Sequence, residues 1–412
     1  MSLPDFASVE QQARPALRNR PVGVVPFAGT DRTCMIACSR EAKMLGVKNI
    51  MSVDEARSLC PDIVFVAQSP DLYRRAHNAL VSSILGVVPI TAVKSIDEIT
   101  CEVPEQYRDH PEDLGHQIKN RILDDIGPYI TCSIGFAGNR QLAKMACKAG
   151  KWNHARYGNG LNIWHPKDMP SPLLKLDLTD IPGVGSHMKK RLYRSRIYTI
   201  EDLYNMQPKH MRKLWHNVTG ERLWYALHGY DIKTPPSERG MYGHGRVLPP
   251  ESRSVDDAHA ASRLLLTKAA RRMRREGWFA SRLWLWLSMK VNDTFSSYMD
   301  QLWLPVVQDD RAILNALEQM WFKAKKQLPK CKIIRLGVTL ADLSPAGERQ
   351  LDLLLNDDRP QQKWEKATKA IDELNSRYGS TVISLGTWKP PAGGYAGGKI
   401  SYTRIPSSED FW

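Results

Sequence analysis

The first 165 residues alternate between helical and strand periodicity. Apolar residues recur every three or four positions in residues 41–45, 53–59 and 112–126, and this spacing predicts amphipathic helices. Residues 22–26 and 129–136 are short apolar runs rich in β-branched residues, which favour strands. Short strands with intervening helices are typical of an α+β sheet, so the pattern predicts an α+β fold for this part of the chain.

The remainder separates into a compact helical block, a linker and a second α+β region. Residues 176–232 form the helical block, and residues 230–245, rich in proline, glycine and charge, read as the linker. Beyond it, we expect two helices on one face of a small sheet. The predicted elements there are a basic helix at 256–276, strands at 281–291 and 331–343, a helix at 312–327, and a polar helix at 364–378 before a glycine- and proline-rich tail.

Net charge indicates the class of partner. The 412 residues carry a formal net charge of +14, which favours a polyanion; the alternative is a basic soluble protein without such a partner. No window approaches the roughly 18 apolar residues of a membrane span, and the first residues lack the features of a signal peptide. The seven cysteines are scattered without a zinc pattern, so we expect a reduced, cytoplasmic protein.

Ser95-Ile96-Asp97-Glu98 places two adjacent carboxylates at the end of an apolar run. Strand alternation would point neighbouring side chains apart, but a turn breaks the alternation and lets both converge on one hard cation. Mg²⁺ is bound by one or two carboxylates together with substrate phosphate oxygens, so Asp97 and Glu98 are candidate metal ligands. The alternative interpretation is an ordinary solvated turn.

Gly183-Val184-Gly185, followed by the basic residues Lys189 and Lys190, resembles a helix–hairpin–helix. Its glycines let backbone amides at a helix N-terminus approach a phosphate closely, and the helix dipole favours the anion. Such contacts position a DNA backbone without reading its sequence. The alternative is an ordinary proline–glycine turn before a helix.

Two segments of the second α+β region also suggest DNA binding. In the strand from 281 to 291, the leucines mark one face, while Arg282 shares the other with Trp284 and Trp286. That face could offer cationic and aromatic groups to phosphates and sugars, or the tail could cover it. The preceding helix carries a basic run that either binds DNA or is a solvated face: Lys268, Arg271, Arg272, Arg274 and Arg275.

Gln350-Leu351-Asp352-Leu353-Leu354 interrupts an otherwise polar segment. A glutamine followed by spaced leucines suits docking as an extended peptide into a hydrophobic pocket. Gln350, Leu351, Leu353 and Leu354 are therefore candidate docking residues, with the start of a linker helix as the alternative.

Taken in order, these motifs resemble a Y-family translesion DNA polymerase of the bacterial UmuC/DinB/ImuB-like branch. The resemblance also rests on Phe6-Ala7-Ser8-Val9-Glu10-Gln11, Ser133-Ile134-Gly135 and Leu142-Ala143-Lys144, and it covers nearly the whole chain. It implies a multidomain α+β right-hand polymerase. The implied division is a palm (1–12 and 71–165, its first strand missing), fingers (13–70), a helix–hairpin–helix thumb (166–232), a linker (233–244), a little finger (245–345) and a tail (346–412) with a peptide that binds the sliding clamp.

The resemblance also implies roles for individual residues. Asp97 and Glu98 match the palm metal ligands, and Phe6 matches the aromatic steric gate that rejects ribonucleotides. Lys151 matches the lysine that reaches the incoming triphosphate, while Arg40 and Lys43 replace a tyrosine and an arginine there. Lys43 keeps the charge of its counterpart but loses the bidentate fork.

The largest departure lies at the start of the sequence. The first catalytic aspartate of the family falls on Met1, and a second common acidic position falls on Leu3. Asp5 is the nearest carboxylate that could substitute. The resemblance predicts two-metal phosphoryl transfer with two Mg²⁺ ions, for which bridging carboxylates are needed.

Two functions from different classes follow. The first is a DNA-directed DNA polymerase for translesion synthesis in DNA repair and the SOS response, acting on primer–template DNA and deoxynucleoside triphosphates near the nucleoid. The second is a catalytically silent accessory factor that binds DNA and the clamp. Met1 and Leu3 favour the accessory factor, whereas Phe6, Asp97, Glu98 and Lys151 together favour the enzyme.

Overall fold

The structure, a computed structural model, describes residues 1–26, 31, 33–154, 160–233, 239–291, 294–328, 331–346, 359–386 and 405. It contains two compact units. The first comprises Met1–Pro235 with Ser401–Ile405, and the second comprises Pro236–Ile400 with Pro406–Trp412. Among the described residues, no helix is both long enough and apolar enough to cross a membrane.

Within the described residues, the first unit combines helices with three small sheets. Its elements in chain order are α1 (Phe6–Ala13), β1 (Val22–Val25), β2 (Ala37–Cys38), α2 (Arg40–Met44), α3 (Val53–Leu59), β3 (Val64–Ala67), α4 (Pro70–Leu85), β4 (Ile90–Ser95), β5 (Glu98–Cys101), α5 (Pro111–Asp125), β6 (Ile134–Phe136), α6 (Arg140–His154), β7 (Leu161–Ile163), α7 (Ser171–Leu174), α8 (Ser186–Arg194), α9 (Ile200–Tyr204), α10 (Pro208–Trp215) and α11 (Val218–Leu227). A three-stranded sheet has the order β2-β1-β3, β4 pairs antiparallel with β5, and β6 pairs parallel with β7.

Local sequence signals account for the helices that were predicted. Helix α3 begins where the Ser52 hydroxyl accepts a hydrogen bond from the Glu55 amide, which satisfies one orphan donor of the first turn. Helix α5 begins at Pro111 and buries Leu114, Ile118 and Ile122, spaced four residues apart on one face. The β-rich expectation for residues 129–136 is confirmed only for β6, which is three residues long.

The second unit is a four-stranded sheet covered on one face by two helices. Its elements are β8 (Met241–Val247), α12 (Val255–Arg275), β9 (Trp278–Val291), β10 (Thr294–Val307), α13 (Asp310–Gln327), β11 (Lys332–Pro345) and α14 (Arg359–Tyr378). The strand order is β10-β9-β11-β8 with every pair antiparallel, and the leucines of β9 are fully buried against α12 and α13. Burying each such leucine contributes about 1.5–3 kcal/mol.

Two strands of this sheet correct the sequence analysis. Strand β8 begins inside the segment assigned to the linker, and it was missed because its glycines conceal a pattern in which only Tyr242 reaches the core. Strand β10 was not predicted. It is an edge strand whose outward residues break the apolar pattern, and only Tyr298, Leu302, Leu304 and Val307 contribute to the core.

Candidate active site

Asp97 lies in the tight turn between β4 and β5, and Glu98 is the first residue of β5. Ser95 pairs with Glu98 across the hairpin, and the Ser95 hydroxyl donates to an Asp97 carboxylate oxygen at 2.6 Å. The side chains of Asp97 and Glu98 are both half-buried. The turn therefore allows two consecutive carboxylates to line the same cleft.

Two neighbours fix the position of this turn. The Leu3 amide donates to the Asp97 carbonyl at 2.7 Å, and Nδ1 of the buried His77 lies 2.7 Å from the Ile96 carbonyl oxygen. Burial lowers the pKa of His77, because a charged imidazolium is poorly solvated there. The neutral ring then donates from Nδ1 to the carbonyl, which holds the turn in place.

The first three residues form a short extended segment beside β5. Ser2 makes antiparallel bridges with both Glu98 and Ser133, and the Met1 amine donates to the Ile99 carbonyl at 2.8 Å. The resemblance predicts that the first palm strand is missing. In the structure, residues 1–3 occupy an extended position between β5 and Ser133, so part of that strand's place is filled. Leu3, at a position where the resemblance predicts an acid, is 5% exposed and supplies no carboxylate.

The carboxylate of Asp5 is engaged in local contacts. It caps α1 by accepting from the Ser8 amide at 3.0 Å, and its other oxygen forms an ion pair with Lys43. Burial opposes the charge on Lys43, but the Asp5 carboxylate outweighs it, so the pKa of Lys43 lies above its usual value. Within the described part of the chain, no three His, Cys, Asp or Glu side chains are grouped so as to hold a metal ion.

Phe6 is held by an aromatic stack and a buried hydrogen bond. Its ring stacks on Tyr73 of α4 with centroids 4.3 Å apart and an interplanar angle of 9°. The Tyr73 hydroxyl donates to the fully buried Glu10 carboxylate at 2.7 Å. Burial, followed by the Glu10 charge, raises the pKa of Tyr73, which keeps the hydroxyl protonated as a donor. The rotamer of Phe6 is thus fixed by packing from α4.

Basic side chains line the same cleft as the two carboxylates. Lys144 of α6 donates to Glu98 at 2.8 Å, and Lys151 at the end of α6 donates to the Ser2 hydroxyl. Arg40 and Lys43 of α2 line the cleft as well. The cleft has a volume of about 2060 Å³, and its cations outnumber its carboxylates, so it suits an anionic ligand.

Gly183 and Gly185 border the cleft at the start of α8. Gly183 has φ +92°, a backbone conformation that favours glycine, whereas Gly185 is the N-cap of α8 with φ −89°. Lys190 is exposed, but Lys189 forms an ion pair with Asp177 at 2.9 Å. Hydrogen bonds from Thr179, then from Lys189, lower the pKa of Asp177 to about 2. The backbone amides of this exposed turn can donate hydrogen bonds to a phosphate.

Matched serine substitutions separate the roles of these glycines. Gly183→Ser is expected to lower the free energy of unfolding by about 1–2 kcal/mol, because an L-residue is strained at this φ. Gly185→Ser is expected to leave stability unchanged or slightly increased, because serine is a better N-cap. Urea unfolding of both variants tests this, and equal losses would contradict the conformational explanation.

Three arginines of the basic run are buried, which corrects the prediction that they bind DNA. Arg271 and Arg274 form ion pairs with Asp372 of α14 at 3.0 and 2.8 Å, and Arg274 also pairs with Asp310 at 2.7 Å. Arg272 donates to the Gly243 carbonyl at 2.8 Å. Lys268 is also buried, and Arg275 is exposed at the end of α12. Neither interpretation, DNA binding or a solvated face, anticipates this burial, because the partner helix α14 is distant in sequence.

Arg282 lies on the sheet face opposite the helices, as the alternation predicted. It forms an ion pair with Asp342 at 2.7 Å, and its guanidinium lies 3.9 Å from the centroid of the Trp303 ring. Gln350, Leu351, Leu353 and Leu354 lie outside the described residues, so docking by this peptide remains a prediction.

Sequence reasoning missed four residues that support the site. Glu10 belongs to the motif Phe6–Gln11, but nothing in the sequence indicates that its side chain is buried. Tyr73 and His77 lie on the buried face of α4, a helix that the sequence analysis did not predict. Lys144 belongs to the motif Leu142-Ala143-Lys144, but its ion pair with Glu98 becomes visible only in the folded chain.

Three family models match the chain. The impB/mucB/samB family model matches residues 5–148, its C-terminal domain model matches residues 239–353, and a thumb-domain model of DNA polymerase iota matches residues 179–231. The thumb match covers the turn with Gly183 and Gly185. Together the three models extend over most of the chain and occur in the order that the motifs predicted.

Full-length relatives agree with these matches. The chain is 29% identical to DNA polymerase IV of Moorella thermoacetica over 95% of this chain and 96% of the relative. It is 27% identical to DNA polymerase IV of Oceanobacillus iheyensis over 92% of this chain and 88% of the relative.

Solved structures identify the fold. A chimeric Y-family DNA polymerase built from Dbh and Dpo4 aligns with a TM-score of 0.63 and 22% identity, covering 82% of this chain and 96% of that one. A Dbh ternary complex aligns with a TM-score of 0.53 and 22% identity, covering 82% and 97%. The predicted multidomain α+β polymerase fold is confirmed. The chain belongs to the impB/mucB/samB family, the DinB-like group of Y-family DNA-directed DNA polymerases.

Proposed function

We propose that this chain carries out translesion DNA synthesis, adding deoxynucleotides to a primer 3′-hydroxyl as directed by a template. The observation that carries the proposal is the β4–β5 turn, which presents Asp97 and Glu98 to a cleft with an excess of cations. A deoxynucleoside triphosphate requires this combination of carboxylates for its metal and basic groups for its phosphates.

The donor set at the turn fits Mg²⁺ carried by a nucleotide. Asp97 and Glu98 supply hard carboxylate oxygens, and this metal is commonly held by one or two carboxylates with the remaining ligands from phosphates and water. When bound, Mg²⁺ would neutralise phosphate charge and favour ionisation of the attacking hydroxyl. A second ion would depend on Asp5, whose carboxylate now caps α1 and pairs with Lys43.

The remaining side chains position and select the nucleotide. Arg40, Lys43 and Lys151 would bind its triphosphate, and Lys144 would hold Glu98 in the absence of metal. Phe6, fixed by its stack on Tyr73, would exclude a ribose 2′-hydroxyl. These roles stand on the family resemblance together with the location of each residue around the cleft.

The partners follow from the same proposal. Primer–template DNA would bind through the amides near Gly183 and Gly185, through Lys189 and Lys190, and through Arg282. The sliding clamp would bind the peptide from Gln350 to Leu354. This function would place the protein in the cytoplasm, associated with the nucleoid and other translesion proteins. The division into palm, fingers, thumb and little finger is part of the proposal.

Two observations favour the second candidate function, a silent accessory factor. Leu3 is buried where an acid is expected, and the described residues offer no three-carboxylate metal group. The test is primer extension with Mg²⁺ and four deoxynucleotides on undamaged and abasic-site templates. Extension on both supports the polymerase, whereas no extension with intact, salt-dependent duplex binding supports the accessory factor.

The steric-gate role of Phe6 has a direct test. Phe6→Ala is expected to raise the use of ribonucleotides relative to deoxynucleotides by at least roughly tenfold, because removing the ring removes a clash of about 1–3 kcal/mol. Single-nucleotide insertion kinetics measure the ratio. Tyr73→Ala, which removes the support but keeps the gate, is the matched comparison and is expected to have a smaller effect. An unchanged ratio in Phe6→Ala would contradict the assignment.

A further inference from the structure

Helix α6 lies between two parts of the first unit that the proposed function requires to act together. Its apolar residues belong to the buried core of the helical block, residues 176–232. Strand β6 also packs directly on α6, because a Cβ on Gly135 would collide with the backbone of Ala143 and Cys147. The position of the helical block relative to the acidic turn of β4 and β5 therefore depends on how α6 is held.

Two lysines of α6 contact both of these parts. Lys144 pairs with Glu98 at the acidic turn, and Lys148, one helical turn further along, pairs with Asp180 at 3.0 Å. Lys148 also donates to the Thr179 carbonyl at 3.2 Å. Thr179 and Asp180 lie just before the glycine turn that starts α8. One helix thus carries contacts to the candidate metal ligands and to the glycine turn.

Asn139 makes three hydrogen bonds at the start of α6 and is only 8% exposed. Its Oδ1 accepts from the Leu142 amide at 2.9 Å, which caps the helix. Its Nδ2 donates to the carbonyls of Ala226 at 2.8 Å and Tyr230 at 3.1 Å, which are 87 and 91 residues further along the chain. One buried amide therefore satisfies groups of two separate elements, and movement of either element would leave its own polar atoms unpaired.

The two carbonyls that Asn139 meets lie at the C-terminal end of α11, where the helical block ends. Gly229 has φ +91° there, and its amide donates to the Ala226 carbonyl at 3.2 Å. The Tyr230 amide donates to the Tyr225 carbonyl at 3.0 Å. These two bonds form the Schellman pattern that ends a helix at a glycine. Asn139 thus ties a well-defined backbone turn of the helical block to the first turn of α6.

We propose that Asn139 and Lys148 are positioning residues, which hold the helical block in register with the acidic turn. DNA bound at the glycine turn would then place a primer 3′ end at a fixed distance from Asp97 and Glu98. The inference deepens the proposed function and rests on it for the identity of the bound DNA. Lys148 is 44% exposed, and such an ion pair contributes little stability, so its role here is geometric. Misplacing reacting groups by about 1 Å can cost about 100-fold in rate.

Asn139→Asp separates the tie from the helix cap, because it keeps an oxygen for the Leu142 amide but cannot donate to Ala226 and Tyr230. In single-nucleotide insertion it is expected to lower kcat by roughly 10- to 100-fold, with the nucleotide KM and the duplex Kd changed by less than about twofold. Asn139→Ala also loses the cap and is expected to lose a similar factor in kcat but more thermal stability. An Asn139→Asp variant with unchanged kcat would overturn the tie and leave Asn139 as a helix cap.

Charge reversal tests the second contact. Lys148→Glu places like charges together and is expected to lower kcat, whereas Lys148→Glu/Asp180→Lys restores the pair in reverse and is expected to recover at least about tenfold relative to each single variant. Asp180→Lys alone measures the cost of losing the hydrogen bond from the Asp177 amide. Lys167→Glu, at an exposed lysine of the same unit, controls for net charge and is expected to retain full activity. No recovery in the double variant, or a raised nucleotide KM in Lys148→Glu, would show that Lys148 binds phosphate directly and would overturn its positioning role.

A distance measurement on the full chain separates this inference from the polymerase assignment. Spin labels replace two exposed residues, Asp124 of α5 and Glu201 of α9, through a non-canonical amino acid, since the chain has seven cysteines of its own. Double electron–electron resonance is expected to show one narrow distance distribution in the unmodified chain and a broader one in Asn139→Asp and Lys148→Glu. Unchanged distributions in both variants would overturn the inference even in a chain that extends primers. Broadening in a chain that extends no primer would retain the positioning role and reject the polymerase assignment.

Discussion

Primer extension by the Asp97→Ala/Glu98→Ala variant is expected to fall by at least about 100- to 1000-fold in turnover, the range seen when a single electrostatic group of an active site is removed. Both carboxylates lie at the β4–β5 turn and line the cationic cleft. Their removal leaves no carboxylate pair at the turn to hold a nucleotide-borne cation, while the fold around them is retained.

The control is Glu105→Ala, which removes an 88% exposed carboxylate from the same unit. It is expected to extend primers at the rate of the unmodified chain. Duplex binding by the double variant, measured by anisotropy, should persist because the phosphate contacts are elsewhere. Full activity in the double variant would disprove the assignment of Asp97 and Glu98, and equal losses in both variants would show a general charge effect.

Arg274→Met is expected to destabilise the second unit by about 3–5 kcal/mol, because removing one member of a buried ion pair leaves its partner uncompensated. Arg274 is 9% exposed and pairs with Asp310, 5% exposed, and with Asp372, 19% exposed. Burial raises the pKa of Asp310, and Arg274 is the chief opposing charge. Methionine preserves the length of the side chain, so the loss reports on charge more than on packing.

Urea unfolding followed by tryptophan fluorescence measures this effect, with Arg275→Met, an exposed neighbour on the same helix, as the matched control. The pKa of Asp310 is raised in the folded state, so protonation favours folding as pH falls. Arg274 opposes this rise, so its removal raises the pKa of Asp310 further, and the stability deficit of Arg274→Met should shrink on acidification and grow as pH rises. A loss below about 1 kcal/mol, or a deficit independent of pH, would show that the buried network contributes little.

Local patterns in the sequence predicted the elements that carry strong signals. The four-residue spacing of Leu114, Ile118 and Ile122 and the serine cap of α3 are short-range features, and both helices are found. Strands β8 and β10 were missed because each is at an edge of the sheet, with few side chains in the core. An edge strand is stabilised by pairing with its neighbour, and pairing is not visible in a local window.

The sequence by itself determined the order of motifs, and with it the family, the acidic turn and the glycine turn of α8. The tertiary structure decided which charges face solvent and which are neutralised inside. Arg271 meets Asp372, 101 residues further along the chain, and Tyr73 meets Glu10 across 63 residues. A run of arginines has the same local pattern whether it faces DNA or a buried carboxylate, because the free energy of a charge depends on its surroundings after folding.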